Sequence, residues 1–406
     1  MVHEPTGVHQ TLVRSGADLT PYEVQFLDLS GLTDLVAEPE TWTFLASNQA
    51  LSFATHGTFR YFGKFPPPVA RRLISAYTVP GDTVVDLMAG SGTTGVEALL
   101  SGRTAILNDV NPFSALVARV KTTRIATVEA RAALQQVRLV VEEGLAQPVA
   151  PSGLRNTDHW FLPETQTSLG AIRGAIDMVT RGEVRDLLLV ALAAVVRKVS
   201  RATTQQGRLF LDATTAQLDA LPAFLKAADK LIDRAASLPE GLVTVTSEDV
   251  RELAVRSRAP LVVLHPPYFN AYKYSSVNSL EMAWLGIDRA AVRRREIREF
   301  FKTAKPDKLQ DFLSDMTAAA TRAVDWLAPG GRLALMLGDA RLGGEHVRVV
   351  RPLLDALSDR LVVERLIMRV PKFTEASWAA SQRRTTAELG ASKMYDFIVV
   401  LRPAHG

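Results

Sequence analysis

The chain has 406 residues, no cysteine, 47% apolar residues and a formal net charge of +4, with a sequence pI of about 9.3 and a mean hydropathy of +0.07. That length suits one α/β domain of roughly 250 residues carrying a large insertion. The missing cysteines exclude disulfides, thiolate zinc sites and cysteine nucleophiles, and no metal site is expected. No uninterrupted apolar run reaches the ~20 residues that span a bilayer, and residues 1–18 lack the apolar core of a signal peptide, so no membrane partner and a cytoplasmic location are expected.

Taken in chain order, the first 55 residues show little periodicity and read as an N-terminal arm anchored by Trp42, Phe44 and Leu45. An aromatic and proline-rich stretch, HGTFRYFGKFPPP, then leads into a helix predicted over 69–77. Strands are predicted at 83–87 and 104–107 with a helix at 94–100 between them, one strand-helix-strand unit of a parallel sheet. After a helix over 112–122 the pattern becomes almost wholly helical from 128 to 238, with a buried helix at 186–200 and a loop at Gln205-Gln206-Gly207. Strands resume at 242–245 and 261–264. A long helix over 309–327 is expected to end at Pro329-Gly330-Gly331, before a strand at 332–337. Strands at 361–368 and 395–401 suit an antiparallel hairpin closing one edge of the sheet. The reading is therefore a doubly wound, Rossmann-like sheet with an antiparallel last strand and a helical insertion, divided into 1–55, 56–127, 128–240 and 241–406.

Two short runs carry the chemistry. The first, DLMAGSGTTG, lies where a strand turns into a helix. Gly90 and Gly92 let backbone approach a ligand, while Ser91, Thr93 and Thr94 bring hydroxyls able to cap the helix. Gly90, Gly92 and Gly95 spell GxGxxG, so a dinucleotide is formally allowed, but no lysine follows to make a phosphate-binding loop. Asp86, just before the turn, would repel phosphate and suits a cationic ligand. Asp109, at the end of the next strand, is placed for ribose hydroxyls, and Pro112 follows as a helix start. A sulfonium-bearing nucleoside with an amino-acid tail fits these groups better than a pyrophosphate.

The second run, His265-Pro266-Pro267-Tyr268, also ends an apolar strand. Prolines have no N–H to compete, and they hold a carbonyl aimed at an amine, while Tyr268 offers a ring for an unstacked base. Neutral His265 keeps one acceptor nitrogen, so activity that depends on it falls on acidification. The alternative is that His265 faces a phosphate or a helix end, leaving the Pro266 carbonyl to do the work.

These residues resemble a known family. FGKFPPPVARRLI followed by VVDLMAGSGTTGVEALLSGRTAILNDVNPFSALVA is similar to the S-adenosylmethionine half of the DNA amino-methyltransferases, which modify exocyclic nitrogens of cytosine (N4) or adenine (N6). The resemblance spans roughly 58–121 and resumes near 244. It implies a class I methyltransferase fold, S-adenosylmethionine as cofactor, and contacts to it from Lys64, Phe65, Pro66, Asp86, Met88, Ala89, Gly90, Ser91, Gly92, Thr93, Thr94, Asp109, Asn111 and Asp249. Where the family writes DPFAGSGTT, this chain has Leu87 and Met88. Where it writes DPPY, NPPY or SPPY, this chain has His265. PPYFNAYKYSSVNSLEMAWLG resembles the family's continuation, with Asn270, Tyr272 and Tyr274 at the pocket mouth and Lys273 in place of a frequent acid; the pattern leans towards cytosine.

The implied reaction is methyl transfer to an amino nitrogen of a base flipped from duplex DNA, in restriction-modification or DNA modification, with a cognate restriction or defence subunit as a possible partner. An RNA amino-methyltransferase and a catalytically silent nucleic-acid-binding subunit are the rival readings. Surplus charge between Gly286 and Lys308, with Arg289, Arg293, Arg294, Arg295, Arg298, Lys302, Lys305 and Lys308, suits a polyanion. Arg383 and Arg384 form a second basic spot, and His159, Trp160, Phe161, Arg197, Ser200, Arg201 and 205–208 are further candidates for DNA contact.

Overall fold

A computed structural model describes residues 7–47, 49–205, 208–214, 218–269, 274–297, 307–342, 345–370 and 395–405. Its strands in chain order are β1 (Thr11–Ser15), β2 (Glu40–Phe44), β3 (Thr83–Asp86), β4 (Thr104–Asn108), β5 (Ala202–Gln205), β6 (Arg208–Leu211) and β7 (Val243–Thr246). They continue with β8 (Ala259–Leu264), β9 (Leu327–Leu337), β10 (Ala340–Leu342), β11 (Glu345–Val347), β12 (Leu361–Val370) and β13 (Asp396–Pro403). Nine of them form one sheet in the order β1-β2-β12-β13-β9-β8-β3-β4-β7. From β9 to β7 every pairing is parallel, and β13 runs antiparallel between β9 and β12. The expected Rossmann-like class with an antiparallel last strand is observed.

Alternation along β3 and β8 sends Val84, Leu261 and Val263 to one face and Val85, Val262 and Leu264 to the other, each face joining a separate apolar core. Chain order reverses between β3, whose next neighbour is β4, and β8, whose next neighbour is β9. In open α/β sheets such a switch point opens a crevice at the strands' carboxyl ends. The two motifs of the sequence emerge there, side by side.

Three sequence expectations are corrected. The final hairpin does not close the sheet: β12 pairs with β2 in parallel, and β1 forms the edge beyond it. Between these two N-terminal strands lies the helix Pro21–Ser30, started by a capping box in which Thr20 and Glu23 exchange hydrogen bonds, and stopped by Gly31 at φ 68°. The long helix covers Asp307–Val324 and ends before the proline-glycine run, which is a bulge inside β9. Gly330, at φ 73°, supplies the left-handed turn, and a Cβ on Gly331 would sit 2.9 Å from the Ala259 carbonyl oxygen. Lastly, the almost wholly helical insertion also holds a short hairpin, β5 and β6, flanking the loop read at 205–207; residues 206 and 207 lie outside the described ones.

The insertion's helices Thr127–Glu142, Pro163–Asp177, Glu183–Val196 and Ala220–Ala236 share one core with Phe113 and Val117 before them and Leu280, Met282 and Trp284 after them. Phe161 is wholly buried in that core, which accounts for it as packing. Among the described residues no helix is long and apolar enough to cross a membrane.

Candidate functional site

The turn after β3 is built by two glycines in the left-handed region, Gly90 at φ 51° and Gly92 at φ 76°. Gly92 is also a packing requirement, since a Cβ there would lie 2.8 Å from the Ala118 Cβ. Backbone hydrogen bonds close the turn from Ala89 N–H to the Asn108 carbonyl (2.9 Å) and from Gly92 N–H to the Ala89 carbonyl (2.8 Å). The helix Thr93–Leu100 that follows has no side-chain cap. The three hydroxyls expected to cap it are otherwise placed: Thr94 donates to Asp86, Ser91 accepts from Lys121 at 3.3 Å, and Thr93 Oγ1 is buried without a partner among the described residues.

Both predicted acids flank this turn. Asp86 is buried and accepts from Met88 N–H (3.2 Å) and from Thr94, and burial pushes its carboxyl up to about 7. Asp109 accepts from Gly90 N–H and Asn111 N–H, each at 2.9 Å, and burial pushes it up to about 6. A carboxylate has about four lone-pair positions, so Asp109 keeps acceptor capacity for a diol. Asn111 caps the helix Pro112–Thr122 by accepting from Phe113 N–H at 3.0 Å, and its Nδ2 is buried with no partner among the described residues. Tyr61 lies over the turn: a Cβ on Gly90 would be 3.2 Å from its ring, and its hydroxyl is 2.7 Å from Ser114 Oγ.

At the end of β8, the His265 ring lies between Phe65, 5.1 Å away between centroids, and Tyr268, 5.6 Å away and edge-on. Pro266 is buried, while Pro267 and Tyr268 are half-buried. Gly338, just past β9, leaves room for Tyr268; a Cβ there would lie 3.3 Å from the tyrosine ring and 3.5 Å from Asp396 Oδ1. Asp396 and Arg369 face each other across β13 and β12 as a buried ion pair, Nε to Oδ2 2.9 Å. The two corners touch directly through Leu87 N–H, which donates to the Val263 carbonyl at 3.2 Å.

Other predicted residues have different surroundings. Tyr274 stacks on Tyr61 with centroids 6.1 Å apart, and Met88 packs at the border of the core. Lys64 Nζ reaches back to the His56 carbonyl at 3.5 Å. Asp249 is gripped by Arg251, Nε to Oδ1 2.9 Å; burial pushes its carboxyl up, but the hydrogen bonds from Arg251 outweigh that and hold it below the usual range. Arg197 pairs with Glu281 (2.6 Å) and donates to the Val277 carbonyl (2.7 Å), joining the insertion to the segment after β8 instead of facing outward. Ser200 is buried, donating to the Arg197 carbonyl and accepting from Ala202 N–H, so it too is structural. Asn270, Tyr272, Arg383 and Arg384 lie outside the described residues.

Two residues were not read from the sequence. Asn108 donates to the Leu87 and Glu248 carbonyls (3.2 and 3.0 Å) and accepts from Thr246 (2.8 Å), tying the ends of β3, β4 and β7 together. Its signal was a buried-strand pattern ending in an amide beside Asp109. Glu296 accepts from Ser275 at 2.8 Å, while its Oε1 is buried with no partner among the described residues, and burial pushes its carboxyl up. It sits inside an arginine run, where an acid looks like charge balance.

The fold and this turn define a Rossmann-like α/β sheet with a glycine turn at its switch point. Residues 33–118 match the model of the family described as DNA methylase, the N6/N4 group, which bears out the resemblance to the DNA amino-methyltransferases. A Type II methyltransferase, M.MvaI of Kocuria varians, is 26% identical over 132 residues, 31% of this chain and 29% of that protein. A second, M.MjaII of Methanocaldococcus jannaschii, is 35% identical over 77 residues, 19% of this chain and 14% of that protein. The matched stretches thus span under a third of those relatives. Among solved structures, TrmN from Thermus thermophilus aligns over 84% of this chain and 49% of its own at 12% identity and TM-score 0.33. The N-methyltransferase NodS from Bradyrhizobium japonicum, with S-adenosyl-L-homocysteine, aligns over 84% and 86% at 9% identity and TM-score 0.32. Likeness at that level carries no argument about chemistry.

Proposed function

We propose that this protein transfers a methyl group from S-adenosylmethionine to an exocyclic amino nitrogen of a DNA base, N4 of cytosine or N6 of adenine, flipped out of the duplex. The observation that carries this reading is the junction of the two corners, a glycine turn flanked by Asp86 and Asp109 and hydrogen-bonded through Leu87 N–H to the strand that presents His265 to Tyr268. The residues present suit the cofactor: Asp109 for the ribose hydroxyls, Thr93 and Asn111 with unpartnered donors, and Phe65 as a flat apolar wall. Bound there, it would supply a methyl group on a sulfonium.

The chain's own part is to make a poor nucleophile react. An amino group on a base delocalises its lone pair into the ring. The Pro266 carbonyl and neutral His265 accept hydrogen bonds from its two N–H groups, favouring a tetrahedral nitrogen whose lone pair is free. Tyr268, for which Gly338 leaves room, stacks on the base and holds it in place. The amino nitrogen would take up the methyl group that the bound cofactor supplies, leaving a neutral thioether, and would release its proton to solvent. Exposed Arg293, Arg294 and Arg295, on the helix Arg289–Arg295 near Tyr274, supply positive charge for the nucleic-acid backbone. A role in restriction-modification, with a cognate nuclease or defence subunit, belongs to the same proposal.

Incubation with methyl-tritiated cofactor and either duplex DNA or RNA tests the reading. Label in DNA is expected. Label only in RNA would replace the substrate, and cofactor binding without transfer to either would mark a silent subunit.

A further inference from the structure

The hairpin β5–β6 is a two-stranded sheet of its own, joined to no third strand among the described residues. Its register pairs Thr203 with Phe210 and Thr204 with Leu209, and residues paired directly across strands share a face. One face is anchored to the body. Ala202 and Leu209 pack on the insertion's core, and Thr204 Oγ1 accepts from Arg197 Nη1 at 3.1 Å. The base of the ribbon is closed by Asp212 N–H to the Arg201 carbonyl (2.7 Å) and tied down by Arg201 N–H to the Trp160 carbonyl (2.8 Å).

The opposite face carries Thr203, Arg208 and Phe210, because side chains alternate along each strand. Arg208 is exposed and makes no ion pair among the described residues, and the Phe210 ring keeps 44% of its surface in water. A single exposed aromatic is ordinary on a protein surface. Here it shares one narrow face with a guanidinium and a hydroxyl, and that face stands beside the pocket mouth. Strand β6 packs against the helix Tyr274–Val277, which packs in turn against the helix Arg289–Arg295. Tyr274 of the middle helix stacks on Tyr61 over the glycine turn. Arg197 locks ribbon to mouth, since the guanidinium that holds Thr204 also donates to the Val277 carbonyl at 2.7 Å.

We propose that β5–β6 is a DNA-reading ribbon, which enters the major groove beside the base to be methylated. Arg208 donates to O6 and N7 of a guanine, and Phe210 lies against an apolar base edge such as a thymine methyl. A major groove about 12 Å wide admits a two-stranded ribbon, and these side chains make those pairings by geometry. Arg208 thus reads a base, whereas the arginines of the neighbouring helix meet phosphates, which fix position without reading sequence. The inference rests on the DNA reading of the proposed function and adds the element that selects the site.

The test is selection of bound sequences from a randomised duplex pool, followed by the affinity of each protein for the selected duplex and for a scrambled one. The native protein is expected to enrich a site containing guanine. Arg208→Ala should relax one guanine position and lower affinity for the selected duplex roughly tenfold or more, leaving the scrambled duplex within about threefold. Arg208→Gln should move that position from guanine towards adenine, a change that no structural defect would produce. Phe210→Ser should relax a neighbouring position, and an unchanged cofactor Kd shows that each variant is folded. Variants that keep the native site and affinity, or that weaken both duplexes equally, would overturn the proposal, as would a native protein that binds duplexes without sequence preference. So would a Phe210→Ser variant that turns a dimer into a monomer in light scattering with its DNA binding unchanged, which would make this face a contact between two copies of the chain. A native protein that binds the cofactor but no duplex at all would instead refute the DNA reading itself.

Discussion

The cofactor corner is assembled within one short stretch of chain, and its polar atoms are largely spoken for by neighbours in that stretch. Asp86 is satisfied by Met88 and Thr94, and Asp109 by Gly90 and Asn111. The substrate corner draws its walls from distant segments, with His265 to Tyr268, Gly338, Arg369 and Asp396 coming from four separate stretches of the chain. A local device must be geometrically intact to work at all, whereas an assembled pocket can lose one wall and keep the rest. Substitutions should therefore fail abruptly at the first corner and gradually at the second.

The largest effect is expected at Gly92. Gly92→Ala combines a left-handed backbone with a Cβ 2.8 Å from that of Ala118, which should cost about 2–4 kcal/mol of stability and abolish cofactor binding. Thermal melting and equilibrium binding read both. Tyr268→Ala removes a base platform but no part of the turn, so kcat/KM for nucleic acid should fall roughly ten- to hundredfold with cofactor Kd unchanged. A matching loss of cofactor affinity would show that the corners are not separable.

Acidification separates them differently. Asp109, pushed up to about 6, must be ionised to receive hydroxyls, and Asp86, pushed up to about 7, to face a cation, so cofactor affinity should fall as pH drops from about 7 through about 6, and Asp109→Asn should remove the lower part of that dependence at about tenfold lower affinity. Any acid-side loss in kcat at saturating cofactor then belongs to the His265 corner. The same raised carboxyl has the opposite sign for folding: between its ordinary 3.8 and about 6 the folded state binds the proton more tightly, so stability falls as pH rises through that window. The smallest effect is expected at the rim. Changing Arg293, Arg294 and Arg295 together to Ser should weaken nucleic-acid binding several-fold at low salt and reduce the salt slope, without altering the base preference.

The same contrast explains what could be read from sequence. The glycine turn and its two acids were legible because every part lies within a few residues of a strand end and has a spacing that the chemistry demands. The sheet edge was not, because β2 finds its partner in β12 at the far end of the chain, and β2's own pattern does not say so. Lys121 reads as the solvated end of an amphipathic helix until the segment around Thr55 is seen to cover it. Arg197 illustrates the converse error. In sequence it looks free for DNA, yet Glu281 and the Val277 carbonyl hold it inside. The proline-glycine run after the long helix has the composition of a stop signal, and only the register shift against β8 reveals a bulge.

The most direct measurement is nucleoside mass spectrometry of duplex DNA digested after incubation with the protein and a deuterated-methyl cofactor. Deuterated N4-methylcytosine or N6-methyladenine is the predicted product, and its loss with Tyr268→Ala at unchanged cofactor Kd would tie it to the assembled pocket. Unlabelled DNA from a protein that demonstrably binds the cofactor would contradict the account.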